Sequence, residues 1–353
     1  MVDKILFVCG SLNQTTMMHQ IAQNLPQADS YFTPYFAEGV IGLAAKAHLA
    51  DFSILGGRHQ RATLAYLHQQ KLKVDSGNKN KDYDLVVTGS DLIIPRSIQS
   101  SRLLLVQEGM LEKAGLRFEL VKQNLIPRWF ANTAAMGLSQ LYDVFCVASE
   151  GYRQLFISRG IMPEKLVVTG IPNFDNAAAY LHNHFEKRGY VLVATSSIRE
   201  TMKPDKRMDF LLKVKQLAKG KEIIFKLHPN EEPHRAIREI RSLFPKESIL
   251  INGNLHEMIA NSAMLIAQNS SAIFTALALG KQVYSDLDEE AMLKLLPLQN
   301  GGNSARLIAE QCHRLLASPL DVLRPHAGQV NLQRFFTFKF KKESSFKLPV
   351  WFS

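Results

Sequence analysis

Short apolar runs rich in β-branched residues recur along the whole chain, and segments with helical spacing separate them. A strand buried between helices reads as a continuous apolar run, because both faces of a parallel sheet are covered. The pattern therefore predicts an α/β fold built from doubly wound parallel sheets. The runs occupy residues 5–8, 85–87, 103–106, 144–147, 166–168, 191–194, 223–225, 249–251 and 265–267.

A polar stretch at residues 173–189 interrupts this alternation, and a fresh apolar run begins directly after it. Single cores tend to stop growing at about 250 residues, so a chain of 353 residues is long enough for two domains. We predict two Rossmann-like domains, residues 1–175 and 186–325, that face each other across a cleft. A basic, aromatic tail at residues 326–353 follows them.

Charge and composition restrict the partners of this chain. Lys and Arg number 42 against 32 Asp and Glu, which favours a polyanionic partner such as a phosphorylated substrate or an anionic membrane surface. No familiar nucleic-acid-binding motif occurs, so we expect no nucleic-acid partner. The scattered Cys9, Cys146 and Cys312 indicate buried thiols rather than a disulfide framework or a zinc site. No run approaches the ~18 apolar residues of a membrane span, and we predict a cytoplasmic protein.

Ligands of open parallel sheets bind beyond the carboxyl ends of the strands, so the loops that follow the strands are the places to search. The run at 223–225 leads into Lys226, His228 and Pro229. An imidazole at a strand end can donate its ring N–H to a phosphate oxygen, and Lys226 adds positive charge nearby. The alternative is a histidine that merely binds a main-chain carbonyl.

The run at 265–267 leads into Asn269, Ser270 and Ser271, directly before a segment with helical spacing. Hydroxyl groups at a strand-to-helix turn, together with the free N–H groups of the helix, can form a phosphate cradle. Asn and Ser are also ordinary helix N-caps, which is the simpler interpretation.

The run at 103–106 leads into Gln107, Glu108 and Gly109. A carboxylate at this position is suitably placed to take a proton from an acceptor hydroxyl, and glycine lets a substrate approach the backbone. A solvated loop carboxylate is the alternative. The loop after the first run, which includes Asn13, is either an acceptor-binding turn or a plain helix cap.

The order of these three motifs resembles the acidic-Gly, His-Pro and Ser-Ser motifs of bacterial sialyltransferases with the GT-B fold. Capsule polysaccharide transferases and CDP-glycerol glycerophosphotransferases carry related His-Pro and Ser-Ser signatures. The resemblance implies that Glu108 is the general base and that His228 contacts the donor phosphate and stabilises the leaving nucleotide. It further implies that Ser270 and Ser271 bind phosphate oxygens. Position 107 is Gln where sialyltransferases often have an acid.

The resemblance also implies a function. We expect a metal-independent glycosyltransferase without a cofactor, whose first domain binds the acceptor and whose second binds the nucleotide-sugar, with a CMP-sugar favoured and a UDP-sugar as the alternative donor. The acceptor is expected to be a glycan or lipid-linked hydroxyl in cell-surface polysaccharide synthesis, at the inner face of the membrane. The tail at 326–353 either contacts that membrane or packs on the first domain. A nucleotide-sugar 2-epimerase and a non-catalytic phosphoglycan-binding module remain alternatives.

Overall fold

Two parallel sheets organise the protein. The computed structural model describes residues 2–49, 51, 53–77, 82–201, 205–218, 220–268 and 270–324. A six-stranded sheet has the order β2-β1-β3-β4-β5-β6, and a five-stranded sheet has the order β11-β10-β7-β8-β9. Every strand pair in both sheets is parallel, which confirms the predicted α/β class.

The first sheet is built from nearly continuous apolar strands, most of whose residues are buried. Its strands are β1 (Lys4–Cys9), β2 (Asp29–Pro34), β3 (Leu85–Thr88), β4 (Arg102–Val106), β5 (Val144–Val147) and β6 (Leu166–Val168). The helices of this half are α1 (Leu12–Gln23), α2 (Gly39–Lys46), α3 (Gly57–Gln69), α4 (Leu116–Lys122) and α5 (Glu150–Ser158).

The second sheet repeats the same alternation on shorter strands. These are β7 (Val191–Ala194), β8 (Ile223–Lys226), β9 (Ser248–Leu250), β10 (Met264–Ala267) and β11 (Gln282–Tyr284). The helices that follow are α6 (Arg207–Ala218), α7 (Pro233–Leu243), α8 (Leu255–Asn261), α9 (Ala272–Ala278), α10 (Glu289–Lys294), α11 (Ser304–Ala317) and α12 (Leu320–Leu323).

Side-chain caps explain why several helices begin where they do. Ser11 accepts a hydrogen bond from the backbone N–H of Gln14 at the start of α1, and Ser149 caps α5 in the same way. Each cap satisfies a helix N–H that has no partner within the helix, so the chain turns from strand to helix within two or three residues. This places short loops at the carboxyl edge of the sheet.

Two elements connect the two halves of the protein. One is the stretch of chain between the two sheets, and the other is helix α11. The carboxylate of Asp175 accepts a hydrogen bond from the backbone N–H of Ser304, the first residue of α11 (2.8 Å). That helix packs on α1, β3 and β4 of the first sheet. The carboxyl-terminal part of the predicted second domain therefore lies against the first sheet. The domain boundaries given by the sequence, 1–175 and 186–325, remain a prediction.

The chain divides into one compact unit, Met1–Ala317, and a short second unit that begins at Ser318. The described part of the second unit contains α12, and the predicted tail at 326–353 lies outside the described residues. Within the described residues, no helix is long and apolar enough to cross a membrane. All three cysteines are buried as free thiols, as predicted from their positions.

Candidate functional site

Glu108 follows β4, and the beginning of α1 holds both oxygens of its carboxylate. Oε1 accepts a hydrogen bond from the hydroxyl of Ser11 (2.7 Å), and Oε2 accepts one from the amide of Gln14 (2.6 Å). The side chain is half-buried, so part of it remains accessible to solvent. Hydrogen bonds to a charged group are stronger than neutral ones, and two of them fix the orientation of this carboxylate.

Gln14 itself occupies a slot that two glycines leave open. It is only 4% exposed, and a Cβ atom on Gly10 would lie 2.1 Å from its Oε1 atom. A Cβ on Gly89, in the loop after β3, would lie 3.1 Å from its Cδ atom. Both glycines therefore make room for the amide that holds Glu108. The role of Gln14 was not predictable from the sequence, because no spacing rule links it to a residue 94 positions away.

His228 follows β8, and its surroundings define which ring nitrogen carries the proton. Nδ1 accepts a hydrogen bond from the backbone N–H of Asn230 (3.1 Å), so the neutral ring carries its proton on Nε2. Burial lowers the pKa of His228 below its ordinary 6.5, and the positive charges of Lys226 and Arg58 lower it further, against the opposing effect of Glu200. At neutral pH the ring is therefore an uncharged N–H donor.

A buried ion pair supports the loop that carries His228. The carboxylate of Glu231 pairs with the guanidinium of Arg207 and accepts a hydrogen bond from the hydroxyl of Thr195. The backbone N–H of His228 donates to that same hydroxyl (3.2 Å) and, at 3.4 Å, to Glu231. Both charged side chains are almost completely buried, at 3% and 0% exposure. The loop is therefore held by interactions that are expensive to break.

Lys226 lies beneath this loop. It is 5% exposed, and its ammonium group donates hydrogen bonds to the carbonyls of Leu227 and Ile251, each at 2.8 Å. Burial lowers the pKa of Lys226. Two of its three N–H groups thus bind carbonyl groups of the protein itself. Its positive charge acts on the site by lowering the pKa of His228. The exposed Pro229 fixes the backbone directly after the histidine.

Ser270 and Ser271 lie in the loop between β10 and α9, and both are half-buried. The hydroxyl of Ser270 accepts a hydrogen bond from the backbone N–H of Ala272 (3.3 Å), whereas the side chain of Ser271 makes no capping hydrogen bond although it stands at the N-cap. The third predicted member of this group, Asn269, lies outside the described residues.

The loops with His228 and Ser270 emerge at the same edge of the second sheet. Strand β7 lies between β8 and β10, so their ends are two strand spacings apart, about 10 Å. The loop after β7 connects them, because Thr195 binds Glu231 on one side and Ser196 donates a hydrogen bond to Gln268 on the other (2.9 Å). The structure thus brings the predicted imidazole and hydroxyl groups to one edge.

Arg58 and His59, at the beginning of α3, belong to the electrostatic surroundings of the candidate catalytic groups. The positive charge of Arg58 is the smallest of the causes that lower the pKa of His228, after burial and Lys226. Burial lowers the pKa of the neighbouring His59, Arg58 lowers it further, and the negative charge of Glu108 opposes both. Glu108 and His228, which belong to loops of different sheets, are therefore each coupled electrostatically to the beginning of the same helix. No predicted motif includes these two side chains, and the Gly56-Gly57 pair that precedes them was the available signal.

The predicted acceptor-side residues Gln107, Gly109 and Asn13 differ in their burial, and Gly109 is half-buried. Gln107 is fully buried; its Oε1 atom accepts from the backbone N–H of Ala148 (2.9 Å), and its amide donates to the carbonyl of Gly109 (2.8 Å). It therefore shapes the loop around Glu108 from within. Asn13 is exposed, and its carbonyl accepts a hydrogen bond from the side chain of Asn173 (3.3 Å).

A cavity of about 160 Å³ lies between the stretch that joins the sheets and α9. Phe174, Tyr180 and Thr275 contribute to its lining. The ring of Phe174 also lies 3.5 Å from the position that a Cβ on Gly109 would take, so the cavity lies close to the loop that carries the carboxylate. Within the described residues, no three His, Cys, Asp or Glu side chains are grouped so that they could hold a metal ion.

Comparison with known proteins identifies the fold. No protein-family model and no curated protein sequence matches the chain. The UDP-GlcNAc 2-epimerase from Neisseria meningitidis, solved with bound UDP-GlcNAc, is 14% identical, with a TM-score of 0.55 over 88% of this chain and 100% of that one. The UDP-N-acetylglucosamine 2-epimerase from Rickettsia bellii is 12% identical, with a TM-score of 0.52 over 93% and 100% of the two chains.

A third structure is the wall teichoic acid polymerase TagF, a variant soaked with CDPG. It is 11% identical, with a TM-score of 0.50 over 89% of each chain. The protein thus has a GT-B-like fold of two Rossmann-like domains, as the sequence predicted, which enzymes of more than one activity share. At these identities the likeness defines the fold, and the activity has to be argued from the site.

Proposed function

We propose that the protein is a glycosyltransferase that moves a sugar from a nucleotide-activated donor to the hydroxyl group of a glycan or lipid-linked acceptor. The observation that carries this proposal is the pairing of an oriented carboxylate, Glu108, with an uncharged imidazole N–H donor, His228, on loops of the two different sheets. A transfer reaction needs these two functions on opposite sides of the bond that changes.

The chemistry follows from the two groups. Glu108 takes the proton of the acceptor hydroxyl as that oxygen forms its bond to the anomeric carbon of the sugar. The bond between the anomeric carbon and the phosphate oxygen breaks, and its electron pair leaves with the nucleotide. His228 donates its Nε2–H hydrogen bond to the phosphate, where negative charge develops. Ser270 and Ser271 bind the same phosphate, and Arg58 supplies positive charge from the other half of the protein.

A CMP-sugar is the favoured donor and a UDP-sugar the alternative, and the proposed setting is the assembly of cell-surface polysaccharide. Thermal unfolding in the presence of CMP, CDP, UDP and GDP derivatives identifies the donor, because a ligand that binds the native state raises the apparent stability. We expect one nucleotide class to raise the melting temperature of the wild type. His228→Ala should reduce that shift, whereas the matched change His234→Ala, at an exposed position on α7, should leave it intact.

The general base is tested separately. Glu108→Gln keeps the size of the side chain and its place between Ser11 and Gln14, so it should preserve nucleotide binding and abolish transfer to an acceptor hydroxyl. Glu164→Gln, an exposed change in the loop before β6, is the control. Transfer at the wild-type rate by the Glu108 variant would rule out its role as base.

A nucleotide-sugar 2-epimerase is the second candidate, because proteins of that activity share the fold. The sequence lacks the Ser-Gly-Gly loop expected of those enzymes, since Ala272 follows Ser270 and Ser271. Incubation of the donor without acceptor separates the two, because an epimerase converts the sugar under these conditions and a transferase does not. A phosphoglycan-binding module would bind ligand equally well with or without Glu108.

A further inference from the structure

One segment of the first half presents an unusual number of large apolar side chains to solvent. The 113–130 surface, which contains α4 and the residues that follow it, exposes Leu116 to 77%, Leu125 to 64%, Trp129 to 39% and Phe130 to 43%. The rings of Trp129 and Phe130 stack with their centroids 3.9 Å apart. Single exposed apolar residues are normal, but four of them within 15 positions require an explanation.

The segment is a well-packed element on its inner side. Phe118 and Val121 of α4 are buried in a small core with Ala131, Ala134 and Ala135. The guanidinium of Arg159 lies 5.3 Å from the centre of the Phe118 ring and donates a hydrogen bond to the carbonyl of Ala134 (2.8 Å). The exposed residues therefore belong to the outer side of a fixed structure.

The charges of this surface are almost all positive. Lys113, Arg117 and Lys122 are exposed, and their side chains form no hydrogen bond or ion pair with any residue that the structure describes. Arg128 is the fourth basic residue, and Glu119 is the only acidic residue between positions 113 and 130. Basic groups without carboxylate partners leave a local positive field for an anionic partner.

We propose that the 113–130 surface binds the face of an anionic lipid bilayer. Proteins attach to such interfaces by a combination of two kinds of side chain. Trp, Phe and Leu insert at the level of the headgroups, and Lys and Arg lie beside them. Protein–protein interfaces are instead depleted in Lys, which supplies two of the three exposed basic groups here. The charge complementarity and the exposed aromatic pair together favour the bilayer.

The position of the 113–130 surface connects binding to the bilayer with the proposed reaction. Its first residue, Lys113, follows Glu108 by five positions, so the surface and the proposed base belong to the same loop system after β4. A bilayer bound there would present a lipid-linked acceptor next to the carboxylate. This last step rests on the proposed function, whereas binding to the bilayer does not.

Vesicle flotation of the full chain tests the proposal without any nucleotide or acceptor. We expect the protein to float with vesicles of phosphatidylcholine and phosphatidylglycerol and not with phosphatidylcholine alone. Each basic residue near an anionic surface contributes about fivefold to binding, so K113Q/R117Q/K122Q should bind about a hundredfold more weakly. The control K215Q/R238Q/K246Q also removes two Lys charges and one Arg charge, but at exposed positions of α6, α7 and the loop after α7. It should bind like the wild type.

The apolar contribution is tested by fluorescence. The chain has two tryptophans, so Trp351→Phe leaves Trp129 as the only indole, and anionic vesicles should shift its emission to the blue. Trp129→Ser with Phe130→Ser should weaken binding while thermal unfolding stays as in the wild type. The proposal is overturned if the wild type does not bind, if the surface variants bind as well as the control, or if the surface instead mediates self-association or binds a protein.

Discussion

The buried ion pair beneath His228 gives a prediction that needs no knowledge of the substrate. Arg207 is 3% exposed; it pairs with Glu231, lies 3.4 Å from Asp205, and donates a hydrogen bond to the carbonyl of Ser196 (3.1 Å). The side chains of Glu231 and Asp205 are 0% and 1% exposed. Arg207→Met keeps most of the volume but leaves two buried carboxylates without this partner. Removal of one member of a buried pair costs about 3–5 kcal/mol, and we expect a loss of this size.

Equilibrium urea unfolding of the wild type and Arg207→Met, followed by circular dichroism, measures this loss. Glu231→Leu in the Arg207→Met background should recover part of it, because an apolar pair no longer contains the buried charge of residue 231. A loss below about 1 kcal/mol in the single variant would refute the argument, since that is the range of exposed ion pairs. The free energy of unfolding recovered in the double variant measures the cost of the unpaired charge of Glu231, and the loss that remains includes the cost of lost packing.

Three further predictions concern the site and the contact between the two halves. Gln14→Ala removes a hydrogen bond to the charged Glu108, worth about 1.5–3 kcal/mol, and should lower kcat by about tenfold to a hundredfold with an unchanged KM for the donor. Burial lowers the pKa of His228 and of His256. The unfolded chain therefore binds more protons below pH 6.5, so stability should fall as the pH falls through that range, and His256→Asn should reduce this fall in acid urea titrations. Gly151→Ala places a Cβ 1.7 Å from the carbonyl of the last residue of α10, and calorimetry should show a lower melting temperature because backbone, not a flexible side chain, has to move.

Most of the fold could be predicted because buried parallel strands carry a strong signal in the sequence. Each of the nine apolar runs lies in a strand of the structure, and only the run at 249–251 is displaced by one residue from β9. Two strands lie outside these nine runs: β2, which contains Asp29, Ser30, Thr33 and Pro34, and β11, which has three residues. Both lie at sheet edges, where exposure of one side removes the need for a continuous apolar run.

Only those features of the site that a short stretch of sequence encodes could be predicted. A strand end can be read from the sequence, so the loops of Glu108, His228 and Ser270 could be located. The partners of these residues could not, because Ser11 and Gln14 bind Glu108, and the charge of Arg58 acts on His228, across separations that no local pattern encodes. Lys226 is the opposite case, since proximity in sequence suggested a phosphate ligand and the structure gives its hydrogen bonds to two carbonyls.

The loop after β7 explains how the second half can hold the proposed phosphate-binding groups as one unit. Thr195 binds the carboxylate of Glu231, which holds the His228 loop, and the adjacent Ser196 binds Gln268 at the end of β10, two residues before Ser270. Since β7 is the central strand of this sheet, its loop contacts both neighbours at the same edge. A displacement of either outer loop therefore has to break a buried hydrogen bond, and the spacing between imidazole and hydroxyls is set before a ligand arrives.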